Sequence, residues 1–188
     1  PDPSKALASH PAFNNHIIII AITPGFKRGE TDYADKVSQI VNAAQINKNT
    51  VEQIILLSTT GAYQGLTGKV DETTPLLDEY KDTPNKVALI SKAEKAVLAF
   101  SELNPSKSAS VLRLAGLVGP ERHPGRFLSG KSDLPNPNFA VHLIHQQDVI
   151  GLVSQLIANQ EITGVFNGVS ATKSTRAEFY NRAAEVLS

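Results

Sequence analysis

Ser58, Thr59 and Thr60 stand in a row at the end of the apolar run Ile54–Leu57, and Tyr63 follows between Gly61 and Gly65. A run that is apolar on both faces is what a parallel strand buried between helix layers requires. Ligands of such sheets bind outside the carboxyl ends of the strands. The three hydroxyls are therefore delivered where chemistry is expected. Alcohols there can serve a substrate, or they can satisfy backbone groups where a strand turns into a loop; both readings stay open.

Arg126 is the charged residue of greatest interest, because the glycines and prolines of Gly116 to Asn138 imply a shaped loop around it. The histidines read as structural. His10 and His123 each precede proline, His16 begins a strand, and His142 and His145 flank a short strand three residues apart. That spacing sends the last two to opposite faces and argues against a shared metal, with His142 half-buried. Cysteine is absent, which excludes disulfides and thiolate metal sites. Gly125 to Ser132 (GRFLSGKS) matches the phosphate-binding G-x-x-x-x-G-K-S pattern, but it runs into Asp133-Leu134-Pro135-Asn136-Pro137. The pattern works only where a helix follows, and these residues cannot start one. It is a decoy.

The elements that must hold these residues alternate in type. His16 to Ile22 is a strand, followed by the polar loop Thr23 to Thr31. Tyr33, Val37, Ile40, Val41 and Ala44 recur at helical spacing over Asp32 to Gln45. After the strand at Ile54 comes a long loop ending at Thr83-Pro84, an N-cap with proline at the first helical position. Ile90, Ala93, Val97 and Phe100 line one face of the helix beyond it. Ser110 to Leu114 is a third strand, Ala140 to Ile144 a short one, and Val165 to Val169 the last. Asp148 is expected to cap a helix carrying Val149, Leu152, Val153 and Leu156, and Thr175 with Glu178 fits a capping box. The helix it opens should turn Phe179, Ala183 and Val186 inward. Alternating strands and helices imply an α/β fold with a parallel sheet and right-handed crossovers.

With 188 residues the chain can bury a substantial core, and 18 basic residues balance 18 acidic ones. No block of like charge marks a nucleic-acid or anionic-membrane partner. No apolar stretch reaches the roughly 20 residues needed to cross a bilayer, and no signal peptide is visible, so a cytoplasmic protein is expected. The chain opens on Pro1 and contains no methionine, as a fragment would. The four isoleucines Ile17 to Ile20 want a partner strand on each edge, yet Pro1 to Asn15 has room for one short helix. An incomplete sheet is expected.

IILLSTTGAYQG, VLRLAGLVGPERHPGRF, HLIHQQDVIGLV and VFNGVS, in this order, resemble the NAD(P)-dependent epimerase/dehydratase family, the extended branch of the short-chain dehydrogenase/reductase superfamily. The likeness is greatest to bacterial nucleoside-diphosphate-sugar-epimerase-like members. It implies a Rossmann-like sheet with helices on both faces, of which this chain supplies the later half. Residues 1–188 would form a single incomplete domain, with 116–145 inserted as a small substrate lobe. It also implies NAD or NADP as cofactor, a nucleotide sugar as substrate and a homodimer through the helices at Asp32 to Gln45 and Asn85 to Leu103. Thr59 takes the family's Ser/Thr position that hydrogen-bonds the reacting oxygen. Thr23 and Pro24 would lie near the cofactor's ribose, Ser58 would also serve the cofactor, and Leu114, Ala115 and Gly116 would lie near the nicotinamide. Tyr63, His123, Arg126 and His145 would face the substrate, Arg126 being suited to a phosphate or carboxylate.

Three departures accompany the likeness. The family's opening strand and Gly-rich turn, which seat the pyrophosphate on a helix N-terminus, have no counterpart, so binding of the dinucleotide should be weak or absent. No tyrosine is followed four residues later by lysine, the pair that serves the family in general acid/base work. If Glu94 marks the family's acidic residue on that helix, Lys86 sits at the tyrosine position and Ile90 at the lysine position; Lys86 and Tyr63 are the substitutes to weigh. The dehydratases' Asp-Glu after the hydroxyl is replaced by Thr60-Gly61, which disfavours dehydration. An epimerase or reductase is the leading reading, and a non-catalytic binding or regulatory protein on the same scaffold is the alternative.

Overall fold

The structure, a computed structural model, describes residues 3–77, 85–128, 133–171 and 173–186. The elements in chain order are α1 (Pro3–Ala8), β1 (Ile17–Ile20), α2 (Tyr33–Ile46), β2 (Gln53–Thr59), α3 (Asn85–Glu102), β3 (Ser108–Leu114), β4 (Gly116–Val118), β5 (Leu143–His145), α4 (Gln146–Ala158), β6 (Gly164–Gly168) and α5 (Arg176–Glu185). The chain divides into two compact units, Pro1–Arg113 with Val153–Asn167, and Leu114–Leu152 with Gly168–Ser188.

The first unit is built on a parallel sheet in the order β1-β2-β3-β6. Ile54, Ile55 and Leu56 are fully buried in β2, as their unbroken apolar run requires, and each contributes about 1.5–3 kcal/mol by burial. Tyr33, Ala34, Val37, Val41 and Ala44 of α2 and Ile90, Ala93, Val97 and Phe100 of α3 join Ile54 and Leu56 in one core. The helical spacing of those apolar residues is therefore a packed face. β1 pairs with β2 from Ile17↔Gln53 to Ile20↔Leu56 and has no second partner among the described residues. Ile20 is buried, but Ile19 is 43% exposed. No described helix is long and apolar enough to cross a membrane.

Tyr33 lies in this core, edge-on to Phe26 with ring centroids 5.9 Å apart. Burial, and then the negative charge of Glu94, push its phenol up to about 12 from 10.0. The unfolded phenol starts to lose its proton near pH 10.0 while the folded one holds it to about 12. Stability should thus be intact below that window and fall as pH rises through it, by roughly 2–3 kcal/mol in all. Urea unfolding against pH should show a decline larger by that amount in the parent chain than in Tyr33→Phe.

In the second unit β4 and β5 pair in parallel, Gly116 opposite Leu143 and Val118 opposite His145. Thr175 and Glu178 form the expected capping box at the start of α5. Four expectations are corrected. Gly116–Val118 is a strand rather than part of a loop, because β5 supplies its ladder. The Ala140–Ile144 strand begins later, at Leu143, while Ala140 bridges to Thr175. α4 starts at Gln146, so Asp148 lies within its first turn, where its charge suits the helix dipole without capping. Val186 is 65% exposed and Ala183 is the buried residue of α5. The expected cap at Thr83-Pro84 falls outside the described residues, as does the end of the GRFLSGKS segment.

Candidate functional site

β2 carries Ser58 and Thr59 to its carboxyl end, where the chain turns into a single 3-10 turn, Thr60–Tyr63. Thr59 makes that turn. Its hydroxyl accepts from the Gly61 amide at 3.0 Å, as an N-cap side chain does, and it stays half-buried. Its O–H proton and a second lone pair are not consumed by that bond. The turn places Tyr63 under the rim at 9% exposure.

From Ser58, next to Thr59, runs a continuous polar chain, buried at Ser58, Glu94, Arg113 and Tyr63. The Ser58 hydroxyl donates to Glu94 at 2.5 Å, and Glu94 takes the Arg113 fork through Nε at 3.1 Å and Nη2 at 2.7 Å. Arg113 Nη1 donates to the Tyr63 oxygen at 2.8 Å, and the Tyr63 hydroxyl donates to Asn167 Oδ1 at 3.0 Å. The guanidinium also sits 4.9 Å from the Tyr63 ring centroid. Finally the Asn167 amide donates to Glu72 Oε1 at 2.8 Å. Burial opposes the charge of Arg113, but the hydrogen bonds and attraction of Glu94, aided by the Tyr63 hydroxyl, outweigh it and raise the guanidinium's pKa. Glu94 and Arg113 are 3% and 5% exposed, so each is a buried charge that depends on the other.

The network joins β2, α3, β3 and β6 below the hydroxyl rim. Its members were partly concealed in the sequence. Glu94 sits four residues after Ile90 on the apolar face of α3, and Arg113 interrupts the apolar run of β3. One charge on each of two buried elements was the available signal for a pair. Asn167 gave none.

The other expected site residues fall as follows. Thr23 is exposed and Pro24 half-buried, just before a 3-10 turn framed by Gly25 and Gly29 in left-handed conformations. Gly25 has φ +73° and the Glu30 side chain packs where a Cβ would stand. Glu30 is fixed by Arg28 at 2.7 Å and Lys36 at 3.2 Å; the hydrogen bond from Arg28, then that from Lys36, holds its carboxyl below the ordinary range. In the second unit, the Ala115 amide donates to the Gly168 carbonyl and Gly116 to that of His142. Leu114 is half-buried in that unit, closing β3. His123 and Arg126 share one turn, the Arg126 amide donating to the His123 carbonyl at 3.1 Å while His123 Nδ1 accepts from Gly125. Arg126 is exposed. His145 is exposed and accepts from the Gln147 amide, and His142 is exposed rather than half-buried because the strand starts after it. Of the two substitutes weighed for the family's tyrosine, Lys86 is exposed on α3, whereas Tyr63 belongs to the buried network.

No protein-family model matches the chain. It is 33% identical over 159 residues to Protein YeeZ of Escherichia coli (strain K12), a match that covers 85% of this chain and 54% of that protein. The chain thus spans about half the length of the curated relatives it matches. Among solved structures it is similar to human epimerase family protein SDR39U1 (isoform 2) with NADPH, at TM-score 0.74 and 19% identity over 98% of this chain and 66% of that one. It is also similar to UDP-N-acetylglucosamine 4-epimerase from Bacillus cereus, at TM-score 0.73 and 18% identity over 96% and 67%. The chain is therefore a relative of YeeZ and carries the fold of the NAD(P)-dependent epimerase/dehydratase family that its sequence resembles.

Proposed function

We propose that this chain is the later part of an NAD(P)-dependent epimerase or reductase acting on a nucleotide sugar, with Thr59 hydrogen-bonding the substrate's reacting oxygen. The observation that carries the reading is the rim hydroxyl of Thr59 held at the carboxyl end of β2 over the Ser58–Glu94–Arg113–Tyr63–Asn167 network. A rim stiffened in this way holds a donor where an oxygen can be positioned, which is what electrostatic catalysis requires. Tyr63, His123, Arg126 and His145 are proposed for the substrate, with 116–145 as its lobe. Thr23, Pro24, Ser58, Leu114, Ala115 and Gly116 are proposed for the nicotinamide half of the cofactor. The likeness to proteins named for NADPH and for a UDP-sugar supports both classes of ligand.

The described residues do not fit the pyrophosphate. No strand of the larger sheet runs directly through a glycine-rich turn into a helix among them: β1 leads to the turn Phe26–Arg28, β2 to Thr60–Tyr63 and β3 to β4. The first glycine after β1, Gly25, is instead covered by the Glu30 side chain, so its backbone offers a phosphate no open approach. Calorimetry of these 188 residues with NAD or NADP should therefore show weak or no binding; micromolar affinity would overturn this. A dimer through α2 and α3 is proposed with the family fold, and light scattering should return twice the mass of one chain.

A second reading, a non-catalytic binding or regulatory protein, draws support from Tyr63. Its hydroxyl is engaged by Arg113 on one side and Asn167 on the other, and Lys92 of α3 is paired with Asp35 at 3.0 Å. Among the described residues, the Tyr63 hydroxyl is thus held by an arginine and an asparagine rather than by a lysine. Oxidation of a reduced nicotinamide on turnover of a nucleotide sugar by the whole protein would eliminate it.

A further inference from the structure

At the other end of the sheet from Thr59, where β2, β3 and β6 begin, the first unit holds a cleft of about 550 Å³. That is a volume suited to a small molecule. Its walls are the last turn of α3, the turn that follows it and the segment before β6. Three carboxylates line it, from Glu52, Glu102 and Glu161, against the single ammonium of Lys107, and no aromatic ring does. Glu52 also faces His16 at 3.4 Å. Ser108, which opens β3 and is 5% exposed, is a lining residue whose hydroxyl has no hydrogen-bond partner among the described residues. A buried hydroxyl is seldom left unpaired, so this one calls for a partner that the described residues do not supply.

We propose that this cleft binds a small aliphatic polyamine, with its ammonium groups on the carboxylates and one N–H directed to Ser108. The surplus of acceptors asks for a ligand rich in donors and positive charge. A metal ion is the poorer match, since no three such side chains among the described residues converge closely enough to hold one. Carboxylates that share a cleft without converging suit separated positive centres. The absence of an aromatic wall disfavours quaternary ammonium ions, which depend on ring faces. This site is independent of the nucleotide-sugar reading.

Spermidine is the probe. Titrated into the protein at low ionic strength, it should bind saturably, one per chain, and shift amide signals of Glu52, Glu102, Ser108 and Glu161 in an NMR spectrum. The double variant E102Q/E161Q changes two exposed side chains and should fold normally. It should bind about tenfold more weakly, as the loss of two exposed ion pairs implies. Ser108→Ala should weaken binding severalfold without lowering the melting temperature, a result that a purely structural serine would not give. Magnesium chloride at equal ionic strength should not produce the same amide shifts. Non-saturable binding, equal binding by E102Q/E161Q, or identical shifts with magnesium would each overturn the proposal.

Discussion

Glu94→Ala should cost the chain about 3–5 kcal/mol of stability, the usual consequence of stranding one partner of a buried ion pair. The variant removes the acceptor of the Ser58 hydroxyl and of two Arg113 nitrogens, leaving a guanidinium at 5% exposure with Tyr63 as its one side-chain partner among the described residues. Arg113→Ala should be about as damaging, since it strands Glu94 instead. Replacing both by apolar residues of similar size, as in E94L/R113M, should recover much of the loss, because the desolvation of both charges disappears with them. Ser58→Ala should be milder, at about 1–3 kcal/mol. Urea unfolding of the four variants measures all of this. Equal stability of Glu94→Ala and the parent would mean that the pair is solvated and does not brace the rim.

Thr59→Val in the whole protein should lower kcat by about 10²–10³, the scale for removing one donor aimed at a developing oxyanion. Valine keeps the shape but loses the cap to the Gly61 amide, so a stability loss of about 0.5–2 kcal/mol should accompany it. Thr59→Ser separates the two effects. It keeps both the cap and the donor, and should restore most of the activity. If Val and Ser variants turn over equally, Thr59 is a turn-forming residue alone.

Much of the fold was legible because burial leaves a pattern. Ile54–Leu56 are apolar without alternation, and Ile90, Ala93, Val97 and Phe100 recur every three or four residues; both sets are packed inside. The capping box at Thr175 was legible because it depends on two residues three apart. β4 was hidden, since a short strand in a loop crowded with glycine and proline is specified by its partner β5 rather than by its own residues. The start of α4 was hidden for a related reason: β5 runs straight into it, leaving no room for a separate cap. At the rim, the hydroxyls were visible as a row of alcohols ending a buried strand. The brace beneath them was not, because Glu94 lies 19 residues before Arg113, Tyr63 lies 50 before it, and Asn167 lies 104 after Tyr63. Only the folded sheet brings those four together.

Rapid mixing of the whole protein, carrying NAD(P), with a panel of nucleotide sugars reads the proposed chemistry at its source. Nicotinamide absorbance should change on the timescale of turnover with at least one sugar, and Thr59→Val should suppress that change while Thr59→Ser retains it. A protein that binds both ligands yet leaves the nicotinamide untouched with every sugar would contradict this, and would make the alcohol rim a binding surface instead.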